Sequence, residues 1–302
     1  MPPSINYDSS RELRIFLEEQ GLGMRKKYGQ NFLIDREARE RILDALEFRK
    51  GDGLWEIGPG LGAMTRGLLD RGALVRAFEI DPGFIRILKE LWGGREDFIL
   101  IEGDVLKTWP SGDGGEPYLL GNLPYTIGAA LLGELIEKKR FFKRMVITIQ
   151  REVARRMTAG PGSGDYTSLS VLCASAYTIR PVQVLRPSSF YPAPHVDSQV
   201  LRFDLRTDMD PSSYPAFFYS LVRSLFSSRR KTVKNNLSGF VASLKEGENR
   251  DAAGGLGKGR IREITGEVLG ASRLSPERRA ETLSLEDFLT LAGVLEGYHG
   301  HY

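Results

Sequence analysis

The first 150 residues alternate between short apolar runs and longer stretches in which apolar residues recur at helical spacing. The short runs predict strands, and the longer stretches predict amphipathic helices. Strands are expected at residues 54–57, 74–80, 98–101, 118–120 and 145–149, and helices at 64–70, 81–91 and 127–138. This alternation predicts an α/β fold in which helices cover both faces of a parallel sheet.

Two further helices are predicted before the first strand. One spans residues 11–20 and ends at Gly21. The other is capped by Asp35, and its apolar residues Ala38, Ile42 and Leu46 fall on one face.

The pattern changes after residue 170. Residues 177–185 and 199–205 have β character and predict a hairpin that ends the sheet, with a proline-rich elbow between them. From Ser212 onward the apolar spacing is helical, and residues 284–287 predict a capping box. We therefore expect two domains: an α/β domain over residues 1–206, and a small all-helical domain over residues 207–302 that contains a flexible glycine-rich loop at 246–259.

The scarce residues exclude several classes of chemistry. Cys173 is the only cysteine, which rules out an intrachain disulfide and a cysteine zinc cluster, and its apolar neighbours place it in the core. A histidine metal site or a Ser-His-Asp triad would depend on His195 alone, since the other two histidines lie in the last four residues. We expect no metal. The chain has no apolar run of about 18 residues and no signal peptide, which predicts a cytoplasmic protein without a membrane contact.

A glycine-rich turn follows the first predicted strand and precedes a helix. Gly58, Gly60 and Gly62 let a ligand approach the backbone, and the helix N-terminus adds free N–H groups. Dinucleotide sites prefer the spacing G-x-G-x-x-G, whereas the spacing here is G-x-G-x-G. Glu56, just before the turn, would repel a pyrophosphate and would suit a ligand that carries an ammonium or sulfonium charge.

Two more carboxylates follow the next strands. Glu79 lies 21 residues after Gly58, where an acidic side chain can accept hydrogen bonds from both ribose hydroxyls. Asp104, followed by Val105, comes after the third strand and could accept a hydrogen bond from an adenine amino group. The plainer interpretation is that the three carboxylates are helix N-caps. Taken together they favour S-adenosylmethionine as the ligand.

An acceptor site is predicted after the fourth strand. The side-chain carbonyl of Asn122 and the backbone carbonyl of Leu123 can accept from the two hydrogens of an adenine amino group, Pro124 stiffens the turn, and Tyr125 can stack on the base. Phe190, on a proline-rich loop, could stack on the other face of a flipped base. The competing interpretations are an ordinary turn at residues 122–125 and a core position for Phe190.

These residues resemble the ribosomal RNA adenine dimethyltransferases, of the KsgA type that modifies small-subunit rRNA. The resemblance covers nearly the whole chain after about residue 20. Its landmarks are GQNFL at 29–33, EIGPG at 56–60, EID at 79–81, GD at 103–104, NLPY at 122–125, QREVA at 150–154, Phe190 with Pro192 and Pro194, VDS at 196–198, and FxxRRK at 226–231.

The resemblance implies a Rossmann-like class I S-adenosylmethionine methyltransferase fold and an enzyme. It implies that Asn31 and Leu33 close over the methionine end of the cofactor, and that two adjacent adenosines in the 3′-terminal hairpin loop of small-subunit rRNA each receive two methyl groups during subunit assembly. We call the nine predicted cofactor residues the cofactor set: Asn31, Leu33, Glu56, Gly58, Gly60, Glu79, Asp104, Val105 and Asn122.

A basic segment predicts contact with RNA. Residues 223–236 contain five basic and no acidic side chains, namely Arg223, Arg229, Arg230, Lys231 and Lys234. Repulsion within the segment would be uncompensated unless phosphates come near, although a charge run can also be a plain solvated face. The expected partner is small-subunit rRNA in a pre-30S particle, and we expect the protein to act as a monomer.

Three other functions stay open on the residues alone. A related methyltransferase could act on large-subunit rRNA and confer antibiotic resistance. An assembly or transcription factor could keep the fold without catalysis, although intact Asn122 and Tyr125 argue against this. A nicotinamide oxidoreductase is disfavoured by the spacing of the glycines. The sequence departs from the family pattern at residues 126–128 and again at residues 166–168, and the second departure leaves RNA docking around Tyr166 open.

Overall fold

The structure, a computed structural model, describes residues 3–23, 30–123, 127–246 and 257–299. Its strands are β1 (Phe32–Leu33), β2 (Gly53–Ile57), β3 (Leu74–Glu79), β4 (Phe98–Glu102), β5 (Tyr118–Asn122), β6 (Arg144–Gln150), β7 (Tyr177–Leu185), β8 (Phe190–Tyr191) and β9 (Ser198–Leu205). Its helices are α1 (Ser10–Glu19), α2 (Arg36–Leu46), α3 (Ala63–Asp70), α4 (Pro82–Trp92), α5 (Val105–Gly112), α6 (Gly128–Glu137), α7 (Arg151–Thr158), α8 (Ser168–Ala176), α9 (Phe218–Phe226), α10 (Val233–Glu246), α11 (Lys258–Ala271) and α12 (Leu285–His299).

Seven strands form one sheet in the order β4-β3-β2-β5-β6-β9-β7. Strands β2 to β6 pair in parallel, and β9 and β7 are added antiparallel at one edge. The predicted α/β fold with its closing hairpin is confirmed. The strand order reverses between β2 and β5, and ligands bind at such a switch point, outside the carboxyl ends of the strands.

Local sequence explains where the helices of this sheet begin. Asp35 caps α2 by accepting a hydrogen bond from the Ala38 amide at 3.0 Å, and Asp81 caps α4 by accepting from the Gly83 amide at 2.8 Å. Pro82 occupies the first position of α4, where its missing N–H costs nothing. These caps fix the start of each helix behind the strand that precedes it.

The sheet is buried in its centre. Trp55 and Phe142 are fully buried, and the Trp55 ring lies 4.7 Å from the Phe78 ring and 5.0 Å from the Phe142 ring. A second apolar cluster between α2, α3 and the sheet contains Ile42, Leu68 and other residues of those elements. The aromatic group around Trp55 and the apolar cluster pack against the strands of the sheet and so hold their carboxyl ends in place.

Several elements have no clear local signal and were not predicted. Strands β1 and β8 are two residues long each and pair antiparallel, with Phe32 opposite Tyr191 and Leu33 opposite Phe190. Helix α5 contains Pro110 and spans eight residues. Helices α7 and α8 were also not predicted. The small β1–β8 sheet joins segments that are far apart in the sequence, so local pattern could not reveal it.

The chain divides into two compact units. Unit 1 comprises Met1–Leu135, Arg140–Ala154 and Tyr177–Leu205, and unit 2 comprises Ile136–Lys139, Arg155–Ala176 and Arg206–Tyr302. The sequence placed a single boundary after residue 206. The structure has a break at that position, but it also assigns residues 155–176 to the helical unit, which differs from the predicted domain of residues 1–206.

Unit 2 is helical and has its own core. The predicted capping box is present, since the Ser284 amide donates to Asp287 Oδ2 at 2.9 Å and the Asp287 amide donates to Ser284 Oγ at 3.2 Å. Tyr166 is buried, its ring lies 5.8 Å from that of Phe226, and its hydroxyl donates to the Leu283 carbonyl at 3.0 Å. Tyr166 is therefore a packing residue. The predicted glycine-rich loop falls mostly outside the described residues.

Within the described residues, no helix has the length and apolarity needed to cross a membrane. Over the same part of the chain, no group of three or more His, Cys, Asp and Glu side chains could hold a metal ion. Cys173 is buried in α8, and burial raises the pKa of its thiol to about 12, as expected for a packing residue.

Candidate functional site

A cavity of about 320 Å³ lies in unit 1 at the carboxyl ends of β2, β3 and β5 and beside the start of α5. All nine residues of the cofactor set line it, together with Leu123 and Phe190 of the predicted acceptor site. Its volume falls in the usual range for small-molecule sites, roughly 300–1,000 Å³. The structure therefore brings together the two groups of residues that the sequence proposed separately.

The glycine turn forms one side of the cavity. Gly58, Gly60 and Gly62 have φ values of 69°, 59° and 87°, a region that side chains with a Cβ rarely adopt. A Cβ on Gly58 would meet only the Asn122 backbone oxygen, at 3.8 Å, so the space beside it is open to a ligand. A Cβ on Gly62 would lie 2.3 Å from the Trp92 ring. The absence of a side chain at Gly58 thus leaves room for a ligand, and its absence at Gly62 leaves room for the Trp92 ring.

Glu79 sits at the end of β3 and faces backbone amides. Its carboxylate accepts hydrogen bonds from the amides of Gly60 at 3.0 Å, Ile80 at 2.9 Å and Asp81 at 2.8 Å. Burial raises the pKa of Glu79, and the three amides oppose that shift. Glu79 ties the glycine turn to the end of β3, and it is not a helix N-cap.

Glu56 is buried and lies beside α3. Its Oε2 accepts a hydrogen bond from the Thr65 hydroxyl at 2.6 Å. Burial raises its pKa to about 8, and the nearby Glu79 carboxylate adds to the shift. The sequence predicts a charged carboxylate at this position, and burial opposes that charge. A cation placed beside Glu56 would favour its charged form and so oppose the effect of burial.

Asp104 fits both interpretations made from the sequence. Its Oδ1 caps α5 by accepting from the Leu106 amide at 3.1 Å, and the residue also lines the cavity next to Val105. Of the three carboxylates, Asp104 is the one that caps a helix. Gln30, which the sequence placed in a landmark motif only, also lines the cavity and donates to Asp81 Oδ2 at 2.9 Å.

Asn122 ends β5 and is held in a defined orientation. Its Nδ2 donates to the Asn31 backbone oxygen at 3.1 Å, which assigns the other side-chain atom, Oδ1, the role of acceptor. The Leu123 amide donates to the Thr148 carbonyl at 3.1 Å and fixes the chain just beyond the strand. Pro124 and Tyr125, also predicted for the acceptor site, lie outside the described residues.

Phe190 is buried, which bears on the two interpretations of this residue made from the sequence. It is 4% exposed, lies in β8, and packs in the apolar cluster beneath the sheet while one part of it lines the cavity. The pairing with Leu33 of β1 accounts for this burial, because it draws the proline-rich segment against the cavity wall. The core interpretation therefore fits its position.

The basic segment carries less unpaired charge than its sequence indicates. In unit 2, Arg223 pairs with Glu137 at 2.6 Å and Arg229 pairs with Glu281 at 3.2 Å, so tertiary contacts neutralise two of the five charges. The acids come from distant parts of the sequence, where composition within the segment could not show them. Three of the predicted RNA-binding side chains are exposed and make no ion pair with any residue that the structure describes: Arg230, Lys231 and Lys234.

Some residues of the site were missed by sequence reasoning. Thr65 gives Glu56 its hydrogen bond, and its only signal is a position on the first helix after the glycine turn. Tyr7 and Leu13 also line the cavity, although they lie far upstream of the sheet. No sequence pattern connects them to it.

Comparisons with known proteins identify the family of the chain. Residues 21–253 match the family described as "Ribosomal RNA adenine dimethylase". The "Ribosomal RNA small subunit methyltransferase A" of Treponema denticola is 42% identical over 305 residues, covering 97% of this chain and 96% of that protein. The protein of the same name from Borreliella afzelii is 36% identical, covering 98% and 97%.

Two solved structures share the fold. A dimethyladenosine transferase from Plasmodium falciparum superposes with a TM-score of 0.71 at 25% identity, covering 88% of this chain and 97% of that one. The 23S rRNA methyltransferase ErmE gives 0.59 at 23% identity, over 87% and 99%, a likeness of fold alone. The family match covers well over half of the chain, and the protein therefore belongs to the ribosomal RNA adenine dimethylase family.

Proposed function

We propose that this protein dimethylates N6 of two adjacent adenosines in the 3′-terminal hairpin loop of small-subunit (16S) rRNA, with S-adenosylmethionine as the methyl donor. The observation that carries the proposal is the orientation of Asn122. Its amide nitrogen is engaged by the Asn31 carbonyl inside the cavity, so its oxygen is available to an amino group. The relatives named small subunit methyltransferase A support the choice of RNA.

The residues of the cavity fit the methyl donor. The open side of Gly58 gives room for close approach to the backbone, and the carboxyl groups of Glu56 and Glu79 suit a ligand with a positive charge and ribose hydroxyls. When bound, S-adenosylmethionine supplies a methyl group activated by its sulfonium. We propose that the cofactor set holds it, with Asp104 and Val105 at the adenine and with Asn31 and Leu33 at the methionine end.

The acceptor residues make the adenine amine reactive. The lone pair of N6 is delocalised into the ring, which makes a free adenine amine a poor nucleophile. The Oδ1 of Asn122 and the carbonyl of Leu123 accept from the two N6 hydrogens and draw the nitrogen toward a tetrahedral geometry. Positioning and electrostatics then carry the catalysis. No strong base is required, because the methylated amine loses its proton readily to water.

Other predicted residues complete the acceptor site in this proposal. Pro124 and Tyr125 follow Leu123 in the sequence, and the proposal assigns to the Tyr125 ring the stacking on the base. Phe190 supplies a buried aromatic wall at the cavity, rather than a ring held in solvent. A base flipped from its stack can be read between such aromatic surfaces.

We propose that the basic segment of unit 2 contacts the phosphate backbone of the rRNA. Arg230, Lys231 and Lys234 supply most of the free charge, while Arg223 and Arg229 contribute less because they are paired. The substrate in this proposal is a pre-30S particle in the cytoplasm, and the protein acts as a monomer.

The test is methyl transfer to separate ribosomal RNAs. The protein is incubated with labelled S-adenosylmethionine and unmodified small subunits, and the digested RNA is expected to yield N6,N6-dimethyladenosine. Large-subunit RNA in a parallel reaction is expected to stay unlabelled. Label in large-subunit RNA alone would support the resistance-type alternative, and no label in either would support the non-catalytic factor.

A further inference from the structure

Two residues near the start of the chain, Tyr7 and Leu13, form part of the cavity wall. Both precede the family match, which starts at residue 21. We call residues 3–22 the N-terminal arm. Two of its side chains, Tyr7 and Leu13, line the cavity along with Leu61 of the glycine turn and Phe84 of α4. The arm thus reaches the same space as the cofactor set.

The arm is packed like a wall and not like a loose tail. Tyr7 is 7% exposed and Leu13 is 1% exposed. Leu13 and Leu17, four residues apart on α1, face inward on the same side of the helix. They form one apolar cluster with Ile5, Tyr7, Leu61, Phe84 and Ile87. Moving the arm would expose this cluster, so the packing holds it against the glycine turn.

Arg39 of α2 fastens the arm from the other side. Its guanidinium is nearly buried, pairs with Asp8, and donates to the carbonyls of Tyr7 at 3.4 Å and Leu33 at 2.7 Å. One side chain therefore joins the arm to β1, whose Leu33 belongs to the cofactor set. Removing a partner of the nearly buried Arg39 guanidinium would leave its charge uncompensated and would lower the stability of the folded protein.

Tyr7 makes the contact that bears on ligand binding. Its hydroxyl donates to the Leu61 backbone oxygen at 2.9 Å, and Leu61 stands between Gly60 and Gly62. Glycines have wide conformational freedom, so the shape of this turn depends on contacts from outside it. The Arg66 guanidinium lies 5.1 Å from the centre of the Tyr7 ring and holds the ring in place. Burial raises the pKa of Tyr7 to about 12, which keeps the hydroxyl a donor at any working pH.

We propose that the N-terminal arm is part of the methyl-donor site and that Tyr7 is a positioning residue, which holds the glycine turn in its ligand-binding shape through the Leu61 carbonyl. This inference rests on the proposed function, because it takes the ligand of the cavity to be the methyl donor. Tyr7 acts through the turn and needs no contact with the reacting atoms. Its loss should weaken ligand binding and leave the chemical step almost unchanged.

The experiment compares two tyrosines of unit 1 in the full-length protein. Tyr7→Phe removes the hydroxyl that bonds to Leu61, and Tyr177→Phe removes a buried hydroxyl that accepts from the Phe142 amide at 3.0 Å, away from the cavity. Calorimetry with S-adenosylhomocysteine is expected to show a Kd about three- to tenfold higher for Tyr7→Phe, the worth of one hydrogen bond. For Tyr177→Phe we expect a lower melting temperature and a Kd within about twofold of the wild type.

Two further measurements separate positioning from stability. In Tyr7→Phe the KM for S-adenosylmethionine should rise with the Kd while kcat stays within about twofold, the pattern of lost uniform binding. Asp8→Asn, which loosens the Arg39 clamp outside the cavity, should raise the Kd in the same direction. Hydrogen exchange of the arm should slow when S-adenosylhomocysteine is bound, because coupling between ligand and arm is reciprocal.

The inference is overturned by an unchanged Kd in Tyr7→Phe, or by hydrogen exchange of the arm that stays the same when S-adenosylhomocysteine is bound. A wild-type protein that fails to bind S-adenosylhomocysteine at all would instead refute the proposed function. The two failures are therefore distinguishable in one set of titrations.

Discussion

The salt dependence of RNA binding gives a direct test of which charges meet phosphate. The perturbation is the triple change of Arg230, Lys231 and Lys234 to alanine. Each lost phosphate contact reduces the slope of log K against log salt by about 0.7 for single strands and 0.9 for duplex. Three contacts amount to about 2.1–2.7 in slope. The wild type binds RNA more tightly than the variant at low salt. Between 50 and 200 mM salt, the ratio of their two RNA-binding constants should therefore fall by about 20- to 40-fold.

The assay is equilibrium binding to an unmodified small-subunit rRNA fragment that carries the 3′-terminal hairpin, at several KCl concentrations. A matched control removes the same charge from three exposed side chains on α11 and just after it, namely Lys258, Arg262 and Arg273. Its slope should stay close to that of the wild type. The double change of Arg223 and Arg229 should have a smaller effect than the triple variant, because both arginines are paired with acids.

A triple variant that keeps the wild-type slope would refute the assignment of the RNA contact to this segment. Equal losses in the triple variant and the α11 control would show that only overall charge matters. Either result would leave the cavity and its chemistry untouched, since those lie in unit 1.

Three further predictions follow from the site and from unit 2. Asn122→Ala should lower kcat about 100-fold or more, while the Kd for S-adenosylhomocysteine rises by about tenfold at most, the worth of one lost contact of the cofactor set; wild-type turnover would remove Asn122 from the mechanism. Burial raises the pKa of Glu56 to about 8 from its ordinary value of 4.5. Between these two pH values the folded protein keeps a proton on Glu56 that the unfolded chain has released. The free energy of unfolding therefore falls as the pH rises from about 4.5 to about 8. Glu56→Gln should flatten the fall in melting temperature between about pH 5.5 and 8.5, and an unaltered pH profile would contradict the assignment. Ser284→Ala removes the acceptor of the Asp287 amide and should cost about 1 kcal/mol of stability, measured by chemical denaturation, whereas a cost near zero would mean that the cap does not stabilise α12.

Much of the fold could be predicted because its signals are local. The strands of the parallel sheet are apolar runs, and Asp35 and Asp81 mark helix starts by capping them. The carboxyl ends of parallel strands meet at one edge, so residues that follow those strands had to lie near one another. This is why the whole cofactor set lines a single cavity.

What could not be predicted depends on contacts between distant segments. The ion pair between Arg223 and Glu137 joins residues 86 positions apart. Counting the charged residues within the basic segment therefore cannot reveal it. The pairing of β1 with β8 buries Phe190, and the sequence alone had left a core position and a stacking position open for this residue. The assignment of residues 155–176 to unit 2 likewise follows from packing.

The two-stranded ladder between Phe32–Leu33 and Phe190–Tyr191 has an evolutionary consequence. Under the proposed function, one strand belongs to the donor side and the other to the acceptor side, and their backbones are bonded to each other. A substitution that shifts either strand must displace both ends of the reaction together. Relatives that adapt to a different RNA while keeping the same methyl donor would therefore have to change elsewhere, on surfaces that this ladder does not support.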